Sequence, residues 1–195
     1  MNKLINLDRK YENYRWFFTS GGVLAVGGKS DEQNESVISN FLRPEYVILH
    51  TTEPGSPFII LQSKNPGKKD IEEAGIFCAC FSKQWKEGKK EINVDIFKGS
   101  QIYKAKSMKT GTFGVKGEKK TIKVKPELIL IIQNGKLRAV PKTIKEEKLA
   151  EIKQGRLKKE QATEKILKKI KNIYHFPFSK EDVMSAIPSD KLDVK

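Results

Sequence analysis

Cysteine and histidine are scarce: the 195 residues include only two of each, Cys78, Cys80, His50 and His175. Two cysteines this close together cannot staple a fold, so the chain is expected in a reducing, cytoplasmic setting. No apolar run approaches the roughly 20 residues that a membrane span needs, and no membrane partner is expected. The opening residues lack an apolar stretch leading to a small-residue cleavage site, so no secretory signal is expected. Acidic residues are also short, 24 against 38 Lys and Arg, which leaves a net charge of +14 and a pI near 9.6. Such a balance points to a polyanionic partner, nucleic acid before an anionic surface.

Motifs for catalysis and metal binding are missing too. The run from Gly22 to Gly28, Lys29 and Ser30 resembles a phosphate-binding loop. That pattern needs glycine five residues before Gly28, and position 23 is Val. Cys78 and Cys80 fall inside a predicted helix, where side chains two apart diverge by about 200° and cannot share a metal. They read as core cysteines, and no metal or cofactor is expected. His50, Glu53 and Ser56 lie close together at a predicted strand end and turn. They could be read as base, orienting acid and nucleophile of an RNA-directed enzyme, but triad geometry normally comes from separated elements. The chain is therefore read as a non-enzyme, with His50 and Ser56 kept as polar contacts for a phosphate or ribose.

The charge that is present is unevenly spread. Residues 1–97 are close to neutral. Residues 98–125 hold nine lysines and a single acid, Glu118, and residues 142–172 hold eleven basic against five acidic residues. Glycines at 99, 111, 114 and 117 break the first of these segments into turns that can present lysines and backbone N–H groups to phosphate oxygens.

Local patterns predict a mixed α+β domain. Residues 14–20 and 23–28 read as strands joined by Gly21-Gly22, a hairpin turn pair. Ser30 with Gln33 caps a helix that ends before Pro44. Residues 46–50 and 58–62 read as strands around Pro54-Gly55. A helix opening at Asp70 buries Ile71, Ala74, Cys78, Phe81 and Trp85, and further strands are expected at 92–97, 112–115, 121–124 and 128–132. The expected fold is a largely antiparallel sheet with two packed helices. After Pro141 the composition shifts to Lys, Glu, Ala, Leu and Ile. Residues 142–172 then read as a helical pair or kinked helix, with Leu149 and Ile152 on one edge and Leu157, Ile166, Leu167, Ile170 and Ile173 on another. Ser179 caps a last short helix. The expected division is a domain over 1–141 and a basic helical extension over 142–195.

An ordered set of short motifs adds to this reading. It runs through Tyr14-Arg15-Trp16-Phe17, Ser20-Gly21-Gly22, Gly27-Gly28, Gln33-Asn34-Glu35 and Leu42-Arg43-Pro44. It continues with Val47 to His50, Gly55-Ser56, Lys64-Asn65-Pro66, Glu72-Glu73-Ala74-Gly75, Ser82-Lys83 and Trp85. Gln101 to Lys104, Gly111-Thr112-Phe113 and Gly117 complete it. In order and spacing this resembles the NFACT-R domain, the RNA-binding module of the NFACT proteins of ribosome-associated quality control. The resemblance implies RNA binding, with tRNA or ribosomal RNA as ligand and the large ribosomal subunit as a possible partner. The full-length relatives carry further domains for which 195 residues leave no room, so the chain looks like a stand-alone form. Tyr103 departs from the small polar residue of many relatives.

The candidate RNA contacts are Arg15, beside aromatic residues on an expected strand, with His50, Ser56 and Lys83, and the lysine-rich segment's Lys104, Lys106, Lys109, Lys116, Lys119 and Lys120. Two other readings stand beside it: an adaptor that docks a protein through residues 142–172, and the enzyme built on His50, Glu53 and Ser56.

Overall fold

The computed structural model of the chain describes residues 9–171 and 178–195. The first strands, β1 (Arg15–Phe18) and β2 (Leu24–Gly27), form the expected hairpin, with Gly22 at φ 75° in the turn. Ser30 caps α1 (Asp31–Phe41) by accepting from Gln33 N, and Gln33 Oε1 in turn accepts from Lys29 N at 3.0 Å. Strands β3 (Val47–Thr51) and β4 (Ile59–Leu61) follow.

Helix α2 spans Lys68–Cys80. It starts two residues before the expected Asp70. Asp70 is instead the third helical residue, and its carboxylate accepts from Gly67 N (2.8 Å), Thr19 Oγ1 (2.6 Å) and Gly21 N (3.0 Å). One buried acid thus caps the helix and holds the first hairpin turn. Glu73 assists by accepting from Ser20 N at 2.7 Å. Trp85 does not extend this helix, because Ser82 caps a separate turn, α3 (Lys83–Lys86).

Then come β5 (Ile92–Lys98), β6 (Ile102–Tyr103), β7 (Gly114–Val115) and β8 (Lys120–Val124). Strands β9 (Leu128–Gln133) and β10 (Lys136–Pro141) form a second hairpin. Its turn, Asn134-Gly135, has φ of 51° and 75°, the two positive values of a type I′ turn.

Residues 142–171 form neither a helical pair nor a kinked helix. Residues 150–157 are a strand, β11 (Ala150–Leu157), paired antiparallel with β9 through Ala150–Leu130, Glu151–Ile129 and Ile152–Leu128. Ala150 and Ile152 point into the core while Glu151 and Lys153 face outward, so the working period is two rather than 3.6. Helix α4 (Lys159–Lys171) buries Ala162, Thr163, Ile166 and Ile170, as a helical edge should. Ile173, assigned to the same edge, lies outside the described residues. Ser179 caps α5 (Lys180–Ala186), and the chain closes with β12 (Leu192–Val194), paired with β11.

The architecture is α+β with antiparallel sheets. Six strands run in the order β1-β2-β4-β3-β5-β8, four in the order β10-β9-β11-β12, and β6-β7 form a separate ribbon. Helix α2 packs on strands of the six-stranded sheet and on β10 of the second sheet. Phe17, Leu49, Phe77, Leu130, Ile152, Ile166 and Val194 consequently belong to one continuous core that runs from the first strand to the last. A second cluster around Trp16, Val37, Ile48 and Phe97 fills the opposite face, under α1.

Candidate nucleic-acid interface

The lysine-rich segment leaves the six-stranded sheet at the end of β5, forms the β6–β7 ribbon and returns as β8. Gln101 organises the exit. Its Oε1 accepts from Lys98 N (2.8 Å), and its Nε2 donates to Lys116 O (2.9 Å) and Glu118 O (2.8 Å). Residues 104–113 connect the two ribbon strands.

The six candidate lysines divide into two kinds. Lys104 is committed to the fold: its Nζ pairs with Glu35 of α1, donates to Lys109 O (2.6 Å) and Thr112 O (2.9 Å), and lies 4.8 Å from the Phe113 ring centre. That hydrogen bond, with one from Gly111 N, holds the Glu35 carboxyl below its ordinary range. Lys119 is committed as well, at 2.7 Å from the buried Asp95. Burial tends to raise Asp95, but hydrogen bonds from Lys119, Thr121 and Thr52 outweigh it and leave the carboxyl below its usual value. Lys106, Lys109, Lys116 and Lys120 are exposed, and among the described residues their ammonium groups form no ion pair. These four are the candidate lysines without an ion pair, whereas Lys104 and Lys119 each hold a carboxylate of the fold.

Beside them stands Tyr103, at 38% the only exposed large hydrophobic among the described residues. It pairs with Gly114 across the ribbon, and a Cβ there would lie 2.2 Å from Tyr103 Cζ. Glycine therefore lets the ring lie directly on the backbone. Lys116 Nζ sits 4.9 Å from the ring centre. On the sheet side is an open groove of about 350 Å³. Its walls include Val47, Ile71 and Phe97, and its rim carries Lys64, Lys98 and Lys120. An aromatic face, an apolar groove and unpaired lysines are the elements that hold unpaired bases and their phosphates.

The other candidates lie elsewhere. Arg15 is not an exposed stacking residue: its guanidinium rests 4.3 Å from the centre of the Phe81 ring, and burial pushes it down to about 10, still charged at neutral pH. His50 is half-buried with its ring 4.5 Å from Phe58, and its Nδ1 is 2.7 Å from Thr51 O. Burial lowers its pKa, so the imidazole is neutral at pH 7. Ser56 Oγ accepts from Thr51 N (2.9 Å) and takes a weak contact from Cys78 Sγ (3.5 Å). Glu53 is held by Lys89 at 2.6 Å. His50 and Ser56 thus both serve the backbone of Thr51, and Glu53 serves Lys89. Lys83 is exposed at the start of α3, 3.8 Å from Glu87. Cys78 and Cys80 are fully buried, and burial raises the Cys78 thiol to about 12.

The ribbon and the six-stranded sheet up to β7 coincide with a known family. Residues 13–117, more than half of the chain, match the family described as the NFACT protein RNA binding domain. The chain belongs to the NFACT-R family. It is 28% identical over 118 residues to the ribosome quality control complex subunit NEMF homolog of Drosophila melanogaster, covering 56% of the chain and 12% of that protein. It is 26% identical over 133 residues to ribosome quality control complex subunit 2 of Schizosaccharomyces pombe, covering 64% and 13%. The human subunit NEMF matches at 30% over 80 residues, 38% of the chain and 7% of the relative. The chain thus spans only 12–13% of the length of the first two relatives. Among solved structures, the C-terminal part of the fibronectin/fibrinogen-binding protein from Streptococcus suis shares the fold, with a TM-score of 0.52 and 23% identity over 58% of this chain and 45% of that one. The family match ends before β8, so the four-stranded sheet lies outside it.

Proposed function

We propose that this NFACT-R chain is a non-enzymatic RNA-binding module that acts in the cytoplasm, on tRNA or the ribosome, in ribosome-associated quality control. The observation that carries this reading is the ribbon: Lys116 lies 4.9 Å from the exposed ring of Tyr103, and the connection that follows that ring carries Lys106 and Lys109, exposed and without an ion pair among the described residues. The relatives' names place them in the ribosome quality control complex, which supports the cellular setting. No helix among the described residues is long and apolar enough to cross a membrane.

Lysine ammonium groups meet phosphate as mobile point charges, so they position RNA rather than read its sequence. The decisive experiment measures binding of a fluorescent single-stranded RNA at several salt concentrations. Replacing Lys106, Lys109 and Lys116 together with Gln should leave the fold intact and weaken all RNAs alike. The log–log salt slope should become shallower by roughly two to three, at about 0.7–0.9 per lost contact. An unchanged affinity and slope would remove the ribbon from the interface. Replacing Lys165, Lys168 and Lys169, exposed on α4, is the matched control for a binding arm in the C-terminal part.

A further inference from the structure

A second concentration of positive charge lies away from the lysine ribbon, between the edges of the two sheets. Arg15 opens β1, the edge strand of the six-stranded sheet, and Arg138 lies on β10, the edge strand of the other. Both line a crevice of only about 10 Å³ with Trp16, Phe81 and Ser185, so a ligand would sit outside it, at its mouth. Each guanidinium is stacked on an aromatic ring, Arg15 at 4.3 Å from the centre of Phe81 and Arg138 at 4.9 Å from that of Trp16. These rings fix the guanidinium planes without using their N–H donors. Among the described residues, the Arg15 guanidinium makes no hydrogen bond and no ion pair, and the Arg138 guanidinium donates only from Nε, to the carbonyl of its neighbour Leu137.

Two lysines join them. Arg15 pairs with Gly27 across the first hairpin, which brings the Gly28-Lys29 segment alongside. Lys29 is exposed, and both arginines act on it, lowering its proton affinity beyond what its partial desolvation does. Lys159, at the start of α4, is lowered first by burial and then by Arg15 and Lys29, against the pull of Asp190 and Glu160. Glu12 and Asp182 attract Arg138 at a distance. Among the described residues, no carboxylate offsets Arg15 or Lys29. Two of the four charges, Arg15 and Lys29, thus lie beside like charges without a carboxylate of their own, which favours an anion between them. The match for two guanidinium forks with two lysine ammonium groups beside them is an anion with several oxygens.

We propose that the mouth of this cleft is a phosphate-binding subsite formed by Arg15, Lys29, Arg138 and Lys159, filled in the RNA complex by a backbone phosphodiester. This rests on the RNA-binding reading above. It adds a second contact region, built from residues up to 144 positions apart.

Arginine Nε–Hε signals in the 15N-labelled full-length chain test it. The chain is titrated with a ten-nucleotide single-stranded RNA and, separately, with inorganic phosphate. RNA should shift the Arg15 and Arg138 side-chain signals together with the backbone amides of Tyr103 and Gly114. The Lys29→Gln/Lys159→Gln variant should keep the wild-type circular dichroism spectrum and bind RNA about 10- to 30-fold more weakly at 0.15 M salt, as expected for two lost phosphate contacts. Lys29→Arg/Lys159→Arg should restore the affinity, which a purely packing role would not produce. If RNA moves the Tyr103 and Gly114 amides while both arginine signals stay fixed, the subsite is wrong and the RNA reading stands. If RNA moves nothing, the RNA reading fails, and the phosphate arm decides. Arginine shifts there would support a phosphate site filled by another ligand, and fixed signals would overturn it.

Discussion

Replacing Ile152 with Ala tests whether the C-terminal part belongs to the same folding unit as the rest. Ile152 is fully buried in β11, a central strand of the four-stranded sheet, with Leu128 of β9 on one side and Val194 of β12 on the other. Truncation removes three carbons from a site enclosed by strands on both sides, where collapse is limited. Such replacements cost about 2–5 kcal/mol, and about 3 is the expectation here. A domain of this size has about 5–15 kcal/mol in all, so the loss is a substantial fraction.

Both tryptophans, Trp16 and Trp85, lie before Pro141. If residues 142–195 were a separable extension, tryptophan fluorescence would not register a change at Ile152. The structure requires the opposite, because β11 completes the sheet begun by β9 and Gln154 Nε2 donates to Trp85 O (3.1 Å) and Lys89 O (3.0 Å). In urea denaturation the fluorescence midpoint should fall by about 1.5 M, taking a slope of about 2 kcal/mol per M, with the slope unchanged. Circular dichroism should give the same midpoint. A chain ending at residue 141 should lose its cooperative transition. A wild-type fluorescence midpoint in the Ile152→Ala variant, with a separate transition by circular dichroism, would refute the shared core.

Asp70→Ala should destabilise the protein by about 3 kcal/mol, because hydrogen bonds to a charged group are worth roughly 1.5–3 kcal/mol and this buried carboxylate accepts three; thermal unfolding measures it, and a loss under 1 kcal/mol would show that water replaces the carboxylate. Stability should fall as pH drops below about 6.5, because the unfolded His50 takes up a proton that the folded, buried ring resists; stability from this group is full above 6.5 and declines below it until the folded value is reached. His50→Gln should flatten that limb, and an unchanged profile between pH 5 and 7 would contradict the direction of the shift. Glu35 and Asp95, both held below their ordinary values, act in a lower window, with their stabilisation lost as pH falls from their unfolded values through their folded ones.

Elements specified by neighbouring residues were legible in the sequence. Ser30 with Gln33, Ser179 with Asp182 and Gly21-Gly22 each act within a few residues, and each lies where its pattern predicts. Asn134-Gly135 is an equally local signal, a hairpin-turn pair that locates β10. Strand β11 was hidden for a different reason. Leu149 and Ile152 are three apart, which suits a helix edge, and the flanking Lys and Glu favour helix. Pairing with Leu128, Ile129 and Leu130 overrides that preference, and those partners lie about twenty residues away. The site divides along the same line. The excess of lysine over 98–125 is visible in composition, but Lys104 meets Glu35 across 69 positions and Lys119 meets Asp95 across 24. Arg15 and Arg138, 123 positions apart, share a cleft for which no local pattern exists.

The lysines spent on the fold also explain how the free ones are presented. Lys104 ties the 104–113 connection to α1, and Lys119 ties the start of β8 to Asp95 in β5. Lys106, Lys109 and Lys116 fall between these two anchors, on a segment whose backbone Gln101 and Gly111 also fasten. A loop carrying several like charges would otherwise spread apart, and ordering it on contact with RNA would cost conformational entropy. The two ion pairs meet part of that cost during folding. Replacing Lys104 or Lys119 would therefore weaken RNA binding without removing a phosphate contact, through a ribbon that no longer holds its shape, and the salt slope would stay near the wild-type value. The slope, rather than the affinity, separates a lysine that touches RNA from one that only positions those that do.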